Sequence, residues 1–547
     1  MGVGGDRTIT LSEASRFGGR NTSFSLMLKP VGSKCNLRCA YCYYLDKASS
    51  VYSGREPVMN LELLELCIRD FCASCDLPEL TVEWHGGEPL LAGMDFFRSA
   101  LALERKYSGG RPVHNTLQTN GTLLDGEWAA FFHDNNFLLG LSLDGPEDIH
   151  DRYRRTVSGG GTFREVMHAL EVLHRRRVEF NTLTTISKAG EGRGSEVYRF
   201  LRSAGSQYMQ FMPVYEHLAV GDISGQSFMP PASSADAGSA CAMDAGAVHM
   251  ASPEEPETVL APWSVDPEAF GRYLCDIFDD WVRRDVGRYF VLTFDAALSS
   301  WCGVQPGICT FCDSCGGNLT VEHNGDIYPC DHFVYPQWRL GNIRDISLRE
   351  AATSPAQTRF ALAKRTALPN ACRRCKWLLA CRGGCPKHRF ASSQASGFGS
   401  GSGSGFDSGS GSGSGSCFGF GSGSGSGFDS GSGSGSGSCF GFGSGSGSGS
   451  DFESGSGSCS GFRSAPGFES GSGSATATTS ASASVSAPLS APLSAPLPAK
   501  TPTRASRSAD KLPLCPGYYL FYSHIAPAMD KMKSLLSEGK SPSGICL

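Results

Sequence analysis

Cys35, Cys39 and Cys42 stand in a C-x3-C-x2-C spacing within GSKCNLRCAYCYYLDKA, with no fourth cysteine close behind. A structural zinc ion or a closed iron–sulfur cluster takes four protein ligands. Three sulfurs leave one metal with an open position, and open positions belong to catalytic sites. The chain carries 22 cysteines in 547 residues, enough length for two or three domains. Its N-terminus, MGVGGDRTITLSEASRFGGR, has no apolar core of the kind an export signal needs. In a reducing compartment such cysteine density reads as metal binding, not disulfides, so a cytoplasmic location is expected. The formal charge of -5 and the lack of a long basic run argue against nucleic acid. No apolar stretch reaches membrane-spanning length, so no membrane partner is expected. Gly2 suits myristoylation, but Asp6 stands where that motif wants Ser or Thr.

From Ser23 short apolar runs alternate with amphipathic stretches. SLMLKPV, LTVEWHGGEPLL, HNTLQTNGTLL, FLLGLSLDGP, VEFNTLTTI and QYMQFMPVYE read as strands running into turns. LELLELCIRDFCASC and TFREVMHALEVLHRRR read as helices, the latter with Val166, Leu170 and Leu173 at helical spacing. This alternation predicts an α/β fold with a parallel sheet, open or closed as a barrel. Functional loops then gather at the C-terminal strand ends, where each motif here lies. Cys67 and Cys75 fall in or near a helix and read as core or surface thiols.

Composition shifts to Ala, Ser, Gly, Pro and acidic residues from about Gly225 to Pro262, reading as a disordered insertion. DPEAFGRYLCDIFDDWVRR follows, with Asp266 as N-cap, Pro267 at the first helical position, and Phe270, Tyr273, Leu274, Ile277, Phe278 and Trp281 on one face. It predicts a packing helix that bridges to a cysteine-rich second domain. A Gly-Ser tract and an Ala-Ser-Pro stretch come next, a composition that cannot bury a core. Structure is expected to return at KLPLCPGYYLFYSHIAPAMDKMKSLL as a short amphipathic helix, docked through Tyr519, Leu520 and Ile525.

CNLRCAYCYY resembles the cluster loop of the radical S-adenosylmethionine (SAM) superfamily, and GGEPLL, at the end of a strand, resembles its second motif. The cysteine-rich region resembles the SPASM domain. EHNGDIYPCDHFVYPQWRLGNI and CRRCKWLLACRGGCPKHR are similar to the anaerobic sulfatase-maturating enzymes within that class. The resemblance implies a partial (β/α)6 radical SAM barrel followed by a SPASM domain with two auxiliary iron–sulfur sites. It divides the chain into an N-terminal tail (1–22), barrel (23–225), insertion (226–262), bridging helix and SPASM domain (263–392), a second insertion (393–509) and a C-terminal SPASM segment (510–547).

The site residues follow from the same resemblance. Cys35, Cys39 and Cys42 would hold a [4Fe–4S] cluster that binds SAM; Tyr41, Gly87, Ser142, Arg154 and Tyr215 would contact SAM, with Arg152 and Arg155 as competitors of Arg154. Cys309, Cys315, Cys330 and Cys385 would bind the first auxiliary [4Fe–4S] cluster, and Cys372, Cys375, Cys381 and Cys515 the second. His388 or Cys417 could replace Cys515; Cys302 and Cys312 are left over, and Cys417, Cys439, Cys459 and Cys546 read as free thiols. Asp331 is the implied base, and His85, where relatives often carry Gln, faces the peptide. The implied reaction converts a sulfatase Cys or Ser, in a C/S-x-P/A-x-R segment, to Cα-formylglycine, served by an electron donor such as flavodoxin or ferredoxin. Rival readings are another SPASM peptide maturase, forming thioether or carbon–carbon crosslinks, and a zinc-rich interaction protein.

Overall fold

The six expected strands form in order: β1 (Ser25–Lys29), β2 (Leu80–Trp84), β3 (Val113–Thr119), β4 (Leu138–Ser142), β5 (Glu179–Ile186) and β6 (Tyr208–Pro213). They pair in parallel, each with the next, so their C-terminal ends share one edge. The computed structural model describes residues 23–45, 47, 51–52, 58–219, 250–251, 258–389 and 511–545, with two three-residue strands at 440–442 and 460–462. The tail call, most of both insertion calls, and Cys417, Cys439, Cys459 and Cys546 lie outside the described residues.

Alternation sets the two faces of the sheet. Leu26, Leu28, Val82, Trp84, Leu117, Leu139 and Leu141 join the core under the helices. Ser25, Met27, Lys29, Glu83 and His85 take the other face, where Ser25 Oγ donates to Glu83 Oε1 at 2.9 Å. The helix Phe163–Arg176 buries Val166, Leu170 and Leu173. Cys67 and Cys75 are both buried in the core.

Beyond β6, a hairpin of β7 (His217–Ala219) and β8 (Thr258–Leu260) is bridged by Met250 to Leu218. The stretch read as a loose insertion up to 262 therefore ends in a paired strand, and Ala261 and Trp263 are buried against Tyr41. The bridging helix Pro267–Arg284 starts as expected: Asp266 accepts from the Glu268 and Ala269 amides, and Pro267 opens the first turn. β9 (Phe290–Val291) adds to β6. The second cysteine-rich region does not build a separate sheet. Its β10 (Asn318–Glu322) pairs in parallel with β1, and β11 (Asp326–Tyr328) and β12 (Gly341–Asn342) follow antiparallel. One ten-stranded sheet, β12-β11-β10-β1-β2-β3-β4-β5-β6-β9, carries both regions.

The C-terminal helix is longer than expected, spanning Cys515–Ser537. Phe521, Tyr522, Ile525, Met529 and Met532 are each 0% exposed, a gross burial on the order of 10 kcal/mol. The expected docking through Tyr519 is incorrect: Tyr519 is 48% exposed, because Tyr518 and Tyr522 hold the buried stripe one residue to the side. The helix crosses the bridging helix at two glycines. A Cβ on Gly517 would meet Pro267 O at 2.1 Å, and one on Gly271 would meet Gly517 O at 2.5 Å. No helix among the described residues is long and apolar enough to cross a membrane.

Candidate active site and cluster-binding cysteines

The loop after β1 brings Cys35, Cys39 and Cys42 to the C-terminal edge of the sheet. Its carbonyls receive the GGEP turn after β2: Gly87 N–H donates to Gly32 O at 2.7 Å and Glu88 N–H to Lys34 O at 2.9 Å. A Cβ on Gly87 would meet Lys34 O at 2.0 Å, so only glycine fits there. Glu88 ties the turn to the end of β3, accepting from Asn120 N–H at 2.8 Å, Thr119 Oγ1 at 2.9 Å and Leu90 N–H at 3.1 Å. Asn120 Nδ2 in turn lies 3.7 Å from Cys35 Sγ. The two motifs thus form one packed unit.

The end of β4 supplies a residue that sequence reasoning passed over, Asp144 in SLDGP. Arg154 forks onto it, Nε to Oδ2 at 3.0 Å and Nη2 to Oδ1 at 3.1 Å. Tyr41 Oη donates to Asp144 Oδ2, and Thr185 N–H donates to Oδ1 at 3.0 Å. Burial opposes the charge, but Arg154 and its neighbours hold the carboxyl below its ordinary range. Arg154 is 8% exposed, whereas Arg152 is exposed and Arg155 half-buried. The guanidinium face expected to grip a SAM carboxylate is already on Asp144, which leaves the Nη1 edge toward other groups. Ser142 and Tyr215, both half-buried, follow at the ends of β4 and β6, on the same edge of the sheet.

Asp331 sits where the two cysteine regions meet. Its Oδ2 accepts from Tyr43 Oη at 2.6 Å, and its Oδ1 lies 3.4 Å from Cys330 Sγ. Burial pushes its carboxyl up, but His332 and Lys29, together with the Tyr43 hydroxyl, hold it well below the carboxylate range. Lys29, wholly buried at the end of β1, lies 3.4 Å from His85 Nδ1 and 3.7 Å from the Tyr44 ring centre. Burial first, and then Lys29, push His85 down to about 3. The imidazole is neutral. Burial lowers Lys29 as well, against the pull of Asp331 and Glu322. Lys387 bridges the regions too, 2.6 Å from Glu216 Oε1 and 4.0 Å from the Tyr43 ring centre. Lys29, Tyr43, Asp144 and His332 were not foreseen. Lys29 had one signal, a lysine on the same face of its strand as Ser25 and Met27.

Two further cysteine groups lie in the second region. The Cys385 thiol lies within electrostatic reach of those of Cys309, Cys315 and Cys330, and the Cys309 thiol within reach of those of Cys315 and Cys330. Cys372, Cys375, Cys381 and Cys515 line a cavity of about 160 Å³, together with His388 and with Cys385 of the first group. Cys515 therefore returns to the second group from across the tract. Burial pushes Cys39, Cys309 and Cys381 up to about 12, and Cys315 and Cys372 up to about 11. Sulfurs so placed become thiolates when a cationic centre joins them, and the donor sets fit one three-coordinate and two four-coordinate [4Fe–4S] clusters. Cys385 departs from this. Burial raises it, but His332 Nδ1, 3.6 Å from its Sγ, prevails and lowers it. Cys312 Sγ donates to Pro306 O at 3.3 Å and Ile308 O at 3.4 Å while lying within electrostatic reach of Cys315, and Cys302, at the end of its helix, is exposed.

Residues 30–195 match the radical SAM superfamily, and residues 312–376 match the SPASM iron-sulfur cluster-binding domain. A serine-type anaerobic sulfatase-maturating enzyme of Bacteroides thetaiotaomicron is 40% identical over 367 residues, 67% of this chain and 83% of the relative. The chain belongs to the anaerobic sulfatase-maturating enzymes. A cysteine-type member from Clostridium perfringens is 30% identical over 67% of this chain and 89% of its own length. The solved structure "Native anSMEcpe with bound AdoMet and Cp18Cys peptide" superposes with a TM-score of 0.56 at 29% identity, over 67% of this chain and 90% of that one. The chain is thus a radical SAM oxidoreductase that uses SAM and iron–sulfur clusters, and the zinc-rich interaction protein is set aside.

Proposed function

We infer that this enzyme oxidises the active-site Cys or Ser of a sulfatase to Cα-formylglycine, with Asp331 as the base. The carrying observation is the Asp331 carboxylate, hydrogen-bonded by Tyr43, flanked by Lys29 and neutral His85, and directly after a cysteine of the first auxiliary group. When bound, SAM and its cluster supply a hydrogen-abstracting radical, and the auxiliary clusters supply an electron sink.

The chain's own residues do the rest. Asp331 takes the thiol or hydroxyl proton of the substrate side chain, and the nearby His332 and Lys29, with the Tyr43 hydrogen bond, keep it ionised for that task. His85, its ring held between Lys29 and the Gln118 side chain, lies beside Asp331 where the peptide would bind. Tyr41, Gly87, Ser142, the Nη1 edge of Arg154, and Tyr215 bind SAM. A sulfatase C/S-x-P/A-x-R segment is the substrate, a flavodoxin- or ferredoxin-class protein exchanges electrons, and the compartment is a reducing cytoplasm, in keeping with the free cysteines throughout the described residues.

The test is anaerobic incubation of a C-x-P-x-R peptide and its serine counterpart with the reconstituted enzyme, SAM and a chemical reductant. The expected product is an aldehyde that reacts with a hydrazine. A peptide with an intramolecular crosslink and no aldehyde would instead identify a crosslinking maturase.

A further inference from the structure

Two basic side chains that the mechanism leaves unused stand against the cysteines of the first auxiliary group. Lys364, on the helix Pro355–Thr366, is 1% exposed. Its Nζ donates to Thr310 O at 2.8 Å and to Cys309 O, and no carboxylate pairs with it among the described residues. A buried charge is costly unless a counter-charge or a metal site answers it. Within electrostatic reach of Lys364 are the thiols of Cys309, Cys315 and Cys385. The anion that answers this ammonium is therefore the sulfur group itself.

His332 meets the same group. Its Nδ1 lies 3.6 Å from Cys385 Sγ, and a ring nitrogen lies within 4.8 Å of Cys330 Sγ. The ring packs edge-on to Tyr43, with centres 4.9 Å apart, which holds its orientation. A thiolate bound to iron can only accept, so Nδ1 donates to it. The second group is served differently. Arg389 bears on Cys372 and Cys381 but equally on Cys315 and Cys385, so it does not separate the two sites. Lys511 bears on Cys515 but is exposed, where water and salt screen it. A four-thiolate [4Fe–4S] cluster is an anion whose charge deepens by one with each electron accepted. Net charge and hydrogen bonds to sulfur are among the terms that set its potential.

We propose that Lys364 and His332 tune the first auxiliary site to be the electron acceptor: the buried ammonium against Cys309 and the imidazole N–H on Cys385 raise its reduction potential above that of the second site. The tuned step adds one electron to the oxidised cluster and breaks no bond in it. The electron comes from the substrate side chain as its proton passes to Asp331, so the proposal rests on the electron-sink part of the function above. Both are positioning residues that act through the cluster.

The experiment is an anaerobic redox titration of the full-length, cluster-loaded enzyme, without peptide, followed by electron paramagnetic resonance. The signal lost in Cys515→Ala marks the second auxiliary site, and the signal lost in Cys35→Ala marks the cluster of the first loop. Lys364→Met keeps the stem and removes the charge; His332→Phe keeps a ring and removes the donor. Each should lower the first-site midpoint and leave the other two in place. For Lys364→Met the reduced-to-oxidised ratio at fixed potential should fall about tenfold, a shift of about 59 mV for one electron. Lys364→Arg should restore the midpoint. Lys106→Met, at an exposed ion pair with Glu65, should move none of the three. Iron per chain monitors assembly. Should Lys364→Met lose iron, His332→Phe decides alone, its missing N–H read also as loss of an exchangeable-proton coupling to the reduced first site. A first-site midpoint unmoved by these variants overturns the proposal. So does an equal shift at both auxiliary sites, or a wild-type first site that lies below the second. Aldehyde formation is scored separately: the expected shifts with no aldehyde from either peptide would retain the tuning and defeat the functional reading.

Discussion

At the scale of single residues, the site turns on how Asp331 is held. Its neighbour in sequence is Cys330, but its hydrogen-bond partner, Tyr43, follows the last cysteine of the other loop. One hydrogen bond therefore joins the loop of Cys35, Cys39 and Cys42 to the loop of Cys330. Asp331→Asn keeps the shape and removes the proton acceptor. Formylglycine yield should fall on the order of 10²-fold or more while SAM cleavage, read as 5′-deoxyadenosine, persists. Unchanged product would remove Asp331 from the chemistry. Tyr43→Phe deletes one hydrogen bond to a charged group, with an expected loss of roughly 10- to 100-fold in kcat and little change in peptide KM. A change confined to KM would make Tyr43 a binding residue. The grouping of the cysteines and the place of Asp331 beside Cys330 could be stated in advance because they lie in short contiguous motifs that resemble those of the family. Asp144 was not, since its role comes from meeting Arg154 and Tyr41 in space.

At the scale of elements, the strands were legible from alternation and the bridging helix from its cap and apolar face. The C-terminal helix was misjudged, because period alone does not say whether Tyr518 or Tyr519 faces inward. Its packing makes a sharp prediction. Cys515 stands two residues before Gly517, whose Cβ position is filled by Pro267 O at 2.1 Å. Gly517→Ala must push the helix off the bridging helix and carry Cys515 with it. The expected result is loss of about four irons per chain, the same loss as Cys515→Ala, with the first two clusters retained. Excising 393–508 with a short linker should leave iron content intact, because loop closure costs only about 0.6 kcal/mol per doubling of length. Iron loss on excision, together with a harmless Cys515→Ala, would refute the return of Cys515.

At the scale of the molecule, the composition suggested two domains, yet β10 extends the barrel sheet beside β1 and makes the regions one structure. Parallel pairing across nearly three hundred residues leaves no local trace in sequence, which is why the join was not foreseen. A molecule so continuous should register a buried charge globally. Glu104 is 4% exposed, accepts from Asn115 Nδ2 at 2.8 Å through Oε2, and has no partner for Oε1 among the described residues. Burial raises its carboxyl to about 7. The sign follows from proton counting: between pH 4.5 and 7 the folded state keeps a proton that the unfolded chain has lost. Stability therefore falls as pH rises through that window and is level above it. Glu104→Gln retains the acceptor and cannot ionise. The variant should match wild type at pH 4.5 and exceed it by pH 8, by up to about 3 kcal/mol. Anaerobic thermal unfolding of the cluster-loaded proteins at pH 5 and pH 8 measures this as a difference in Tm that opens with pH. A Tm difference equal at both pH values would mean that Glu104 folds ionised, held by a charge partner rather than by its proton.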